Sequence, residues 1–156
     1  MSLASVRAFL AERAPDLAVI ELPTSTATVA EAAAAHGVEP GRIAKTLSLR
    51  VGERVFLVVA AGDTRLDNRK VKAAFGGKAS MPSPDEVQAL TGHPVGGVCP
   101  FGLATPLPVY CDLSLRAYDE VVPAAGAVNA SLRIPPERLA AITGGTWVDV
   151  CQERAP

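Results

Sequence analysis

The residues best suited to chemistry in this 156-residue chain lie in one glycine- and proline-rich stretch, G-H-P-V-G-G-V-C-P-F-G at positions 92–102. Glycine accepts positive φ angles and lets the backbone approach a ligand, while proline stiffens the turns between. Together they can aim consecutive main-chain N–H groups into a concave nest for an anion. That anion could be a phosphate, a carboxylate or the oxyanion of an acyl-transfer intermediate. A tight structural crossover would use the same residues, and spacing alone does not separate the two. The stretch is neither a dinucleotide fingerprint nor a P-loop, because G-x-G-x-x-G and G-K-[ST] are absent. Its candidate residues are Gly96, Gly97, Val98, Cys99 and Pro100.

Lys45 is the second candidate. It opens an alternating run and shares the parity of Leu47 and Leu49, so its ammonium should point toward a buried face. There it needs an anionic partner or a ligand, unless the stem alone is buried and the head snorkels to solvent. In A-G-D-T-R-L-D (61–67), Asp63 and Arg65 pair with each other or line a cleft, and Asp67 reads as a helix cap. The small residues A-A-G-A-V-N-A-S (124–131), with Gly126 and Asn129, leave room for a ligand or simply form a turn.

Cys99 invites a nucleophile reading because it sits among potential anion-binding amides. No base stands beside it: His93, six residues earlier, reads as a surface loop residue, and His36 falls on a helix. No G-x-S-x-G elbow is present. A Cys99-dependent esterase or thioesterase therefore stands as an alternative.

The elements that must position these groups are announced by their caps. T-V-A-E (28–31) and S-P-D-E (83–86) are capping boxes, the first opening an alanine-rich helix that stops at Gly37, the second a helix ending near Gly92. Asp67 can cap a helix through residues 71–75, closed by Gly76-Gly77, and Pro135-Pro136-Glu137 opens a final one over 138–143. Strand signals fall at 18–22, 44–51, 55–61, 107–111, 120–123, 131–134 and 147–150, with Gly52-Glu53 as a tight hairpin turn and Trp147 in the core. Hairpin-linked strands interrupted irregularly by helices do not fit regular βαβ winding. They predict a single mixed α/β domain over 1–156, with a curved or closed sheet and helices around it.

Composition narrows the function classes. Three dispersed cysteines with no C-x-x-C pair make a disulfide framework or structural zinc site improbable, so no metal or cofactor is expected and a reducing cytoplasm is the simplest setting. The longest apolar run, 55–61, is too short to cross a bilayer, and Arg7, Glu12 and Arg13 make the N-terminus an amphipathic helix, not a signal peptide. A net charge of −1 argues against wrapping a long duplex but allows a few local cations to grip a short single-stranded end.

In their order, Lys45, V-V-A-A-G-D-T-R-L-D, T-G-H-P-V-G-G-V-C-P-F-G and P-A-A-G-A-V-N resemble the YbaK/ProX family, the editing domains related to the insertion module of bacterial prolyl-tRNA synthetase. The likeness runs from about residue 23 to 150, and Gly96 and Pro100 match the family's G-x-x-x-P loop. The resemblance implies a barrel-like sheet ringed by helices and a free-standing hydrolase acting on the ester between a small amino acid and tRNA. It also implies Lys45 as the functional lysine, an acyl group held at residues 96–100, and partners in the aminoacyl-tRNA 3′ end and prolyl-tRNA synthetase. Relatives that remove alanine can carry a histidine near the turn that here reads Gly126 to Asn129, and this chain has none there. Alanine, cysteine, serine and 2-aminobutyrate all stay open. A module that binds a nucleotide or tRNA end without turnover is the rival reading.

Overall fold

The computed structural model describes residues 2–153. Its helices begin where short polar side chains can satisfy their first amides. In α2 (Val29–His36) the Thr28 hydroxyl accepts from the Glu31 amide at 3.1 Å, and the helix closes on Gly37 at φ 65°. In α3 (Asn68–Phe75) Asp67 Oδ1 accepts from the amides of Arg69 and Lys70, at 2.9 and 3.1 Å. Ser83 does the same for α4 (Pro84–Thr91) through the Glu86 amide at 3.2 Å. The first helix, α1 (Ser2–Arg13), buries Val6 and Leu10 one turn apart, and α5 (Pro136–Thr143) follows the double proline.

The hairpin of β2 (Ile43–Val51) and β3 (Arg54–Ala61) forms the centre of a five-stranded sheet. On one side β3 pairs in parallel with β4 (Val109–Asp112), which pairs in parallel with β7 (Thr146–Val148). On the other side β2 meets only the short parallel β5 (Val122–Pro123). A two-stranded ribbon of β1 (Ile20–Glu21) and β6 (Ala130–Ser131) joins β5 through the bridges Val121↔Ile134 and Ala124↔Ser131. The result is the expected architecture, a mixed sheet curled into a half-barrel with five helices around it.

Several strands are shorter than the sequence pattern suggests, for local reasons. Pro123 has no N–H to give, so at that position the segment 131–134 meets only its carbonyl, which accepts from the Leu132 amide at 3.1 Å, and the ladder is interrupted between the Val121↔Ile134 and Ala124↔Ser131 bridges. Beyond Val148, the Val150 amide turns to the Asp112 carboxylate at 2.8 Å instead of a strand carbonyl. Trp147 is half-buried, with the Arg116 guanidinium 4.0 Å from its ring centroid, and so edges the core without filling it.

The sheet has two buried faces. Residues 44, 46 and 48 of β2 face the larger core, which includes Val59, Phe101 and Leu132. Residues 45, 47 and 49 face a smaller core, where Leu49, Phe56 and Val58 pack against Val71 and Phe75 of α3. The Phe56 and Phe75 rings lie 4.4 Å apart, and burying one phenylalanine is worth about 1.5–3 kcal/mol. Lys45 thus shares the parity of Leu49, as expected, and projects toward the α3 side. Among the described residues, no helix is long and apolar enough to cross a membrane.

Candidate functional site

The site lies along an incomplete strand edge. β5 covers β2 only at Ile43 and Ala44, and further along Arg50 exchanges both main-chain bonds with Ser80, at 2.8 and 2.9 Å. Main-chain groups alternate direction along a strand, so those of Ser48 and Thr46 face the same edge as those of Arg50. A cavity of about 460 Å³ occupies this interval. Gly96 and Val98 form one wall, Met81 and Val87 a second, and Thr26 and Val29 a third. Exposed Met81 and Val95 give its rim an apolar character.

Lys45 is the only ionisable side chain among the lining residues. Its ammonium donates to the Thr64 carbonyl. Burial holds its pKa below 10.5; the fields of Cys151 and Asp63 oppose this, and that of Arg65 adds to it. Thr46 Oγ1 is buried without a hydrogen-bond partner, although its residue lines the cavity. An unpartnered buried hydroxyl costs about 1–3 kcal/mol.

The glycine loop is fixed by close main-chain contact with the small-residue turn. A Cβ on Gly96 would lie 2.7 Å from Ala27 Cβ, and one on Gly97 would lie 2.7 Å from the Ala127 nitrogen. The Gly126 amide donates to the Gly97 carbonyl at 3.0 Å, with Gly126 itself at φ 94°. Only glycine allows backbones this close. The Gly97 amide, expected as an oxyanion donor, is already committed to the Pro94 carbonyl at 2.9 Å, closing the turn. Among the described residues, the amides of Gly96, Val98 and Cys99 have no internal acceptor.

His93 is not the surface residue its loop position suggests. It is fully buried. Its Nε2 lies 2.7 Å from the Phe101 carbonyl, which can only accept, so Nε2 carries the proton. The Ser2 hydroxyl sits between His93 Nδ1 and the Gly126 carbonyl, 2.5 Å from each. Burial pushes His93 below its usual 6.5, so the neutral ring ties helix α1, the glycine loop and the small-residue turn together.

Cys99 lies behind the wall, fully buried, with Sγ 3.5 Å from His93 Nε2. Burial pushes its thiol up to about 12. Such a sulfur is neither ionised nor reachable, and the cysteine-dependent esterase has no nucleophile. Pro100 is buried behind it. Asn129 does not line the cavity; its Nδ2 donates to the Leu22 carbonyl at 3.0 Å and so fastens the turn to β1. Asp63 is exposed and outside the lining, its Oδ2 2.9 Å from where a Cβ on Gly41 would stand. Lys45, Gly96 and Val98 therefore line the cavity, whereas Gly97, Cys99, Pro100, Gly126, Asn129 and Asp63 lie outside its lining.

Sequence reasoning missed Thr46, Ser48 and Met81. Alternation marks Thr46 and Ser48 as polar residues opposite the Lys45 face, but no local signal reveals that their strand edge lacks a neighbour. Among the described residues, no three His, Cys, Asp or Glu side chains gather where they could hold a metal ion.

A family model described as "Aminoacyl-tRNA editing domain" matches residues 24–142. The chain is 46% identical to the uncharacterized protein YwhH of Bacillus subtilis (strain 168), over 98% of this chain and 99% of that one. It is 32% identical to "Putative Cys-tRNA(Pro)/Cys-tRNA(Cys) deacylase EbsC" of Enterococcus faecalis (strain ATCC 700802 / V583), covering 73% of this chain and 71% of that one. Among solved structures, "Crystal structure of a putative trans-editing enzyme for prolyl tRNA synthetase" superposes with a TM-score of 0.90 at 40% identity, covering 97% and 98% of the two chains.

Proposed function

The chain belongs to the aminoacyl-tRNA editing domain family, and on that premise we propose that it is a trans-acting deacylase that frees a small amino acid wrongly esterified to the 3′ end of tRNA, with tRNAPro as the carrier. One observation carries the reading: Lys45, as the single ionisable residue, lines a small, mostly apolar cavity together with a loop that has unengaged amides.

The chemistry suits that equipment. Water adds to the ester carbonyl, and negative charge develops on its oxygen. The amides of Val98 and Cys99 receive that charge; one such preorganised donor is typically worth about 100- to 1000-fold in rate. Collapse then breaks the acyl–oxygen bond, and the ribose oxygen leaves as a hydroxyl with the proton the water gives up. The described residues that line the cavity supply no carboxylate or imidazole as base, in keeping with an ester that is already activated. Lys45 holds the phosphate or ribose of the terminal nucleotide, which fixes the carbonyl over the amides. Met81 and Val95 offer an apolar rim for the terminal base.

The acyl side chain meets Thr46. Its unpartnered hydroxyl favours serine among alanine, cysteine, serine and 2-aminobutyrate. A synthetase pocket separates such small residues by only about 1–3 kcal/mol, which is why a second, destructive site is useful. With purified protein and tRNAPro charged with each of the four, seryl-tRNA should be deacylated fastest. Thr46→Val should reduce the serine-over-alanine ratio about tenfold, the loss of roughly one hydrogen bond. A ratio unchanged by Thr46→Val would remove that hydroxyl from the pocket, and absence of free amino acid with every charged tRNA would leave a binding module in place of an enzyme.

A further inference from the structure

The net charge of −1 conceals a strong segregation. Residues 43–80 hold eight cations against three carboxylates, a net +5, while the rest of the chain holds seven against thirteen, a net −6. One of the three carboxylates, Asp67, is spent on capping α3. Helix α3 itself, N-R-K-V-K-A-A-F, carries no acidic residue.

The fold gathers these cations on and around α3. Val71 and Phe75 anchor α3 to the sheet face from which Lys45 projects. Arg69 and Lys72 are exposed and three residues apart, which puts their Cβ atoms about 5–6 Å from each other on one helix face. Arg65, also exposed, follows directly on Thr64, whose carbonyl holds the Lys45 ammonium. Lys78 lies exposed just past the other end of α3. Elsewhere arginines find carboxylates: Arg7 with Glu21, Arg50 with Glu86, Arg116 with Glu137, Arg138 with Asp16. Among the described residues, Arg65, Arg69, Lys72 and Lys78 form no such pair.

We propose that Arg65, Arg69, Lys72 and Lys78 form a track for the phosphates of the tRNA acceptor arm, leading away from the cavity along α3. The proposal rests on the cavity being the site of the tRNA 3′ end. An eight-residue helix gives the row about 12 Å of length, enough to follow a strand for several nucleotides beyond the terminal one. Arginine and lysine suit phosphate oxygens as a bidentate fork and as a point charge. A protein partner would need apolar or aromatic anchors at its centre. The exposed large hydrophobic residues, Met81, Val95, Leu113 and Val128, all lie off α3, so RNA is the better match.

The test is fluorescence anisotropy with a labelled, uncharged tRNAPro transcript, titrated across a salt series. The double variant Arg69→Ala/Lys72→Ala should bind about tenfold more weakly, and its log–log salt slope should be shallower by about 2. Arg69→Lys/Lys72→Arg, which preserves charge, should bind like the parent. On seryl-adenosine, which carries no nucleotide beyond the terminal one, the alanine double variant should hydrolyse at the parental rate. Parental affinity and slope in the alanine variant would overturn the track, as would a selective loss on seryl-adenosine. The binding measurement needs no turnover, so it decides the track even if no ester is cleaved.

Discussion

Replacing Lys45 by Ala should lower kcat/KM for seryl-tRNAPro by about 100-fold or more while leaving the melting temperature within a few degrees of the parent's. The size follows from the inventory of the cavity. Lys45 is the only ionisable group among the described residues that line it, so on the proposed reading none of those side chains can take over the positioning of an anionic nucleotide, and the loss of one preorganised charged contact is typically worth this much. The small structural effect follows from its position: Lys45 is half-buried and its ammonium donates to the Thr64 carbonyl. Lys45→Arg should rescue poorly, because a planar fork cannot replace a compact ammonium at a single carbonyl. The pH profile gives a second readout. Burial lowers the folded pKa of Lys45 below 10.5. The charged form is therefore lost as pH rises through that depressed value. After subtraction of spontaneous hydrolysis, the parent's activity should fall along an alkaline limb below 10.5, and Lys45→Ala should lack that limb. A variant with parental turnover would remove the cation from the reaction.

The second large effect concerns main-chain groups. Supplying residue 98 as its α-hydroxy acid turns the 97–98 peptide into an ester and deletes the Val98 N–H without changing a side chain. If that amide receives the oxyanion, kcat should fall about 100- to 1000-fold. The same replacement at residue 97 deletes an N–H already bonded to the Pro94 carbonyl. It should cost stability, about 0.5–1.5 kcal/mol, and leave kcat largely intact. Cys99→Ala belongs beside these two. Its thiol, fully buried and pushed up to about 12, should be dispensable for turnover. Near-complete loss in Cys99→Ala, with 98 tolerant, would return the reaction to a cysteine mechanism.

What the sequence disclosed follows the range of the interactions. The caps at Thr28, Asp67 and Ser83 are satisfied within three residues, so their letters suffice, and the structure has all three. The Gly52 hairpin and the parity of Lys45 are similarly local. The surface reading of His93 failed because its burial depends on Ser2, 91 positions away, and the tie from Ser2 to Gly126 spans 124. Nothing in residues 92–102 announces those partners. The glycine loop was legible as a candidate, but not which of its amides the turn consumes. The pocket hydroxyl of Thr46 was hidden for another reason. Its value comes from what is missing beside it, the strand that stops at Ala44, and a strand's neighbours are a property of topology rather than of its own residues. The charge row on α3 was likewise averaged away in a net charge of −1.

The most direct measurement is a crystal structure of the protein with a seryl-adenosine analogue whose ester is replaced by a non-hydrolysable amide. The carbonyl oxygen should lie within hydrogen-bond distance of the Val98 or Cys99 nitrogen, the seryl hydroxyl within reach of Thr46 Oγ1, and the ribose beside the Lys45 ammonium. An analogue seated in the cavity with its carbonyl turned away from those nitrogens and its sugar remote from Lys45 would contradict the account.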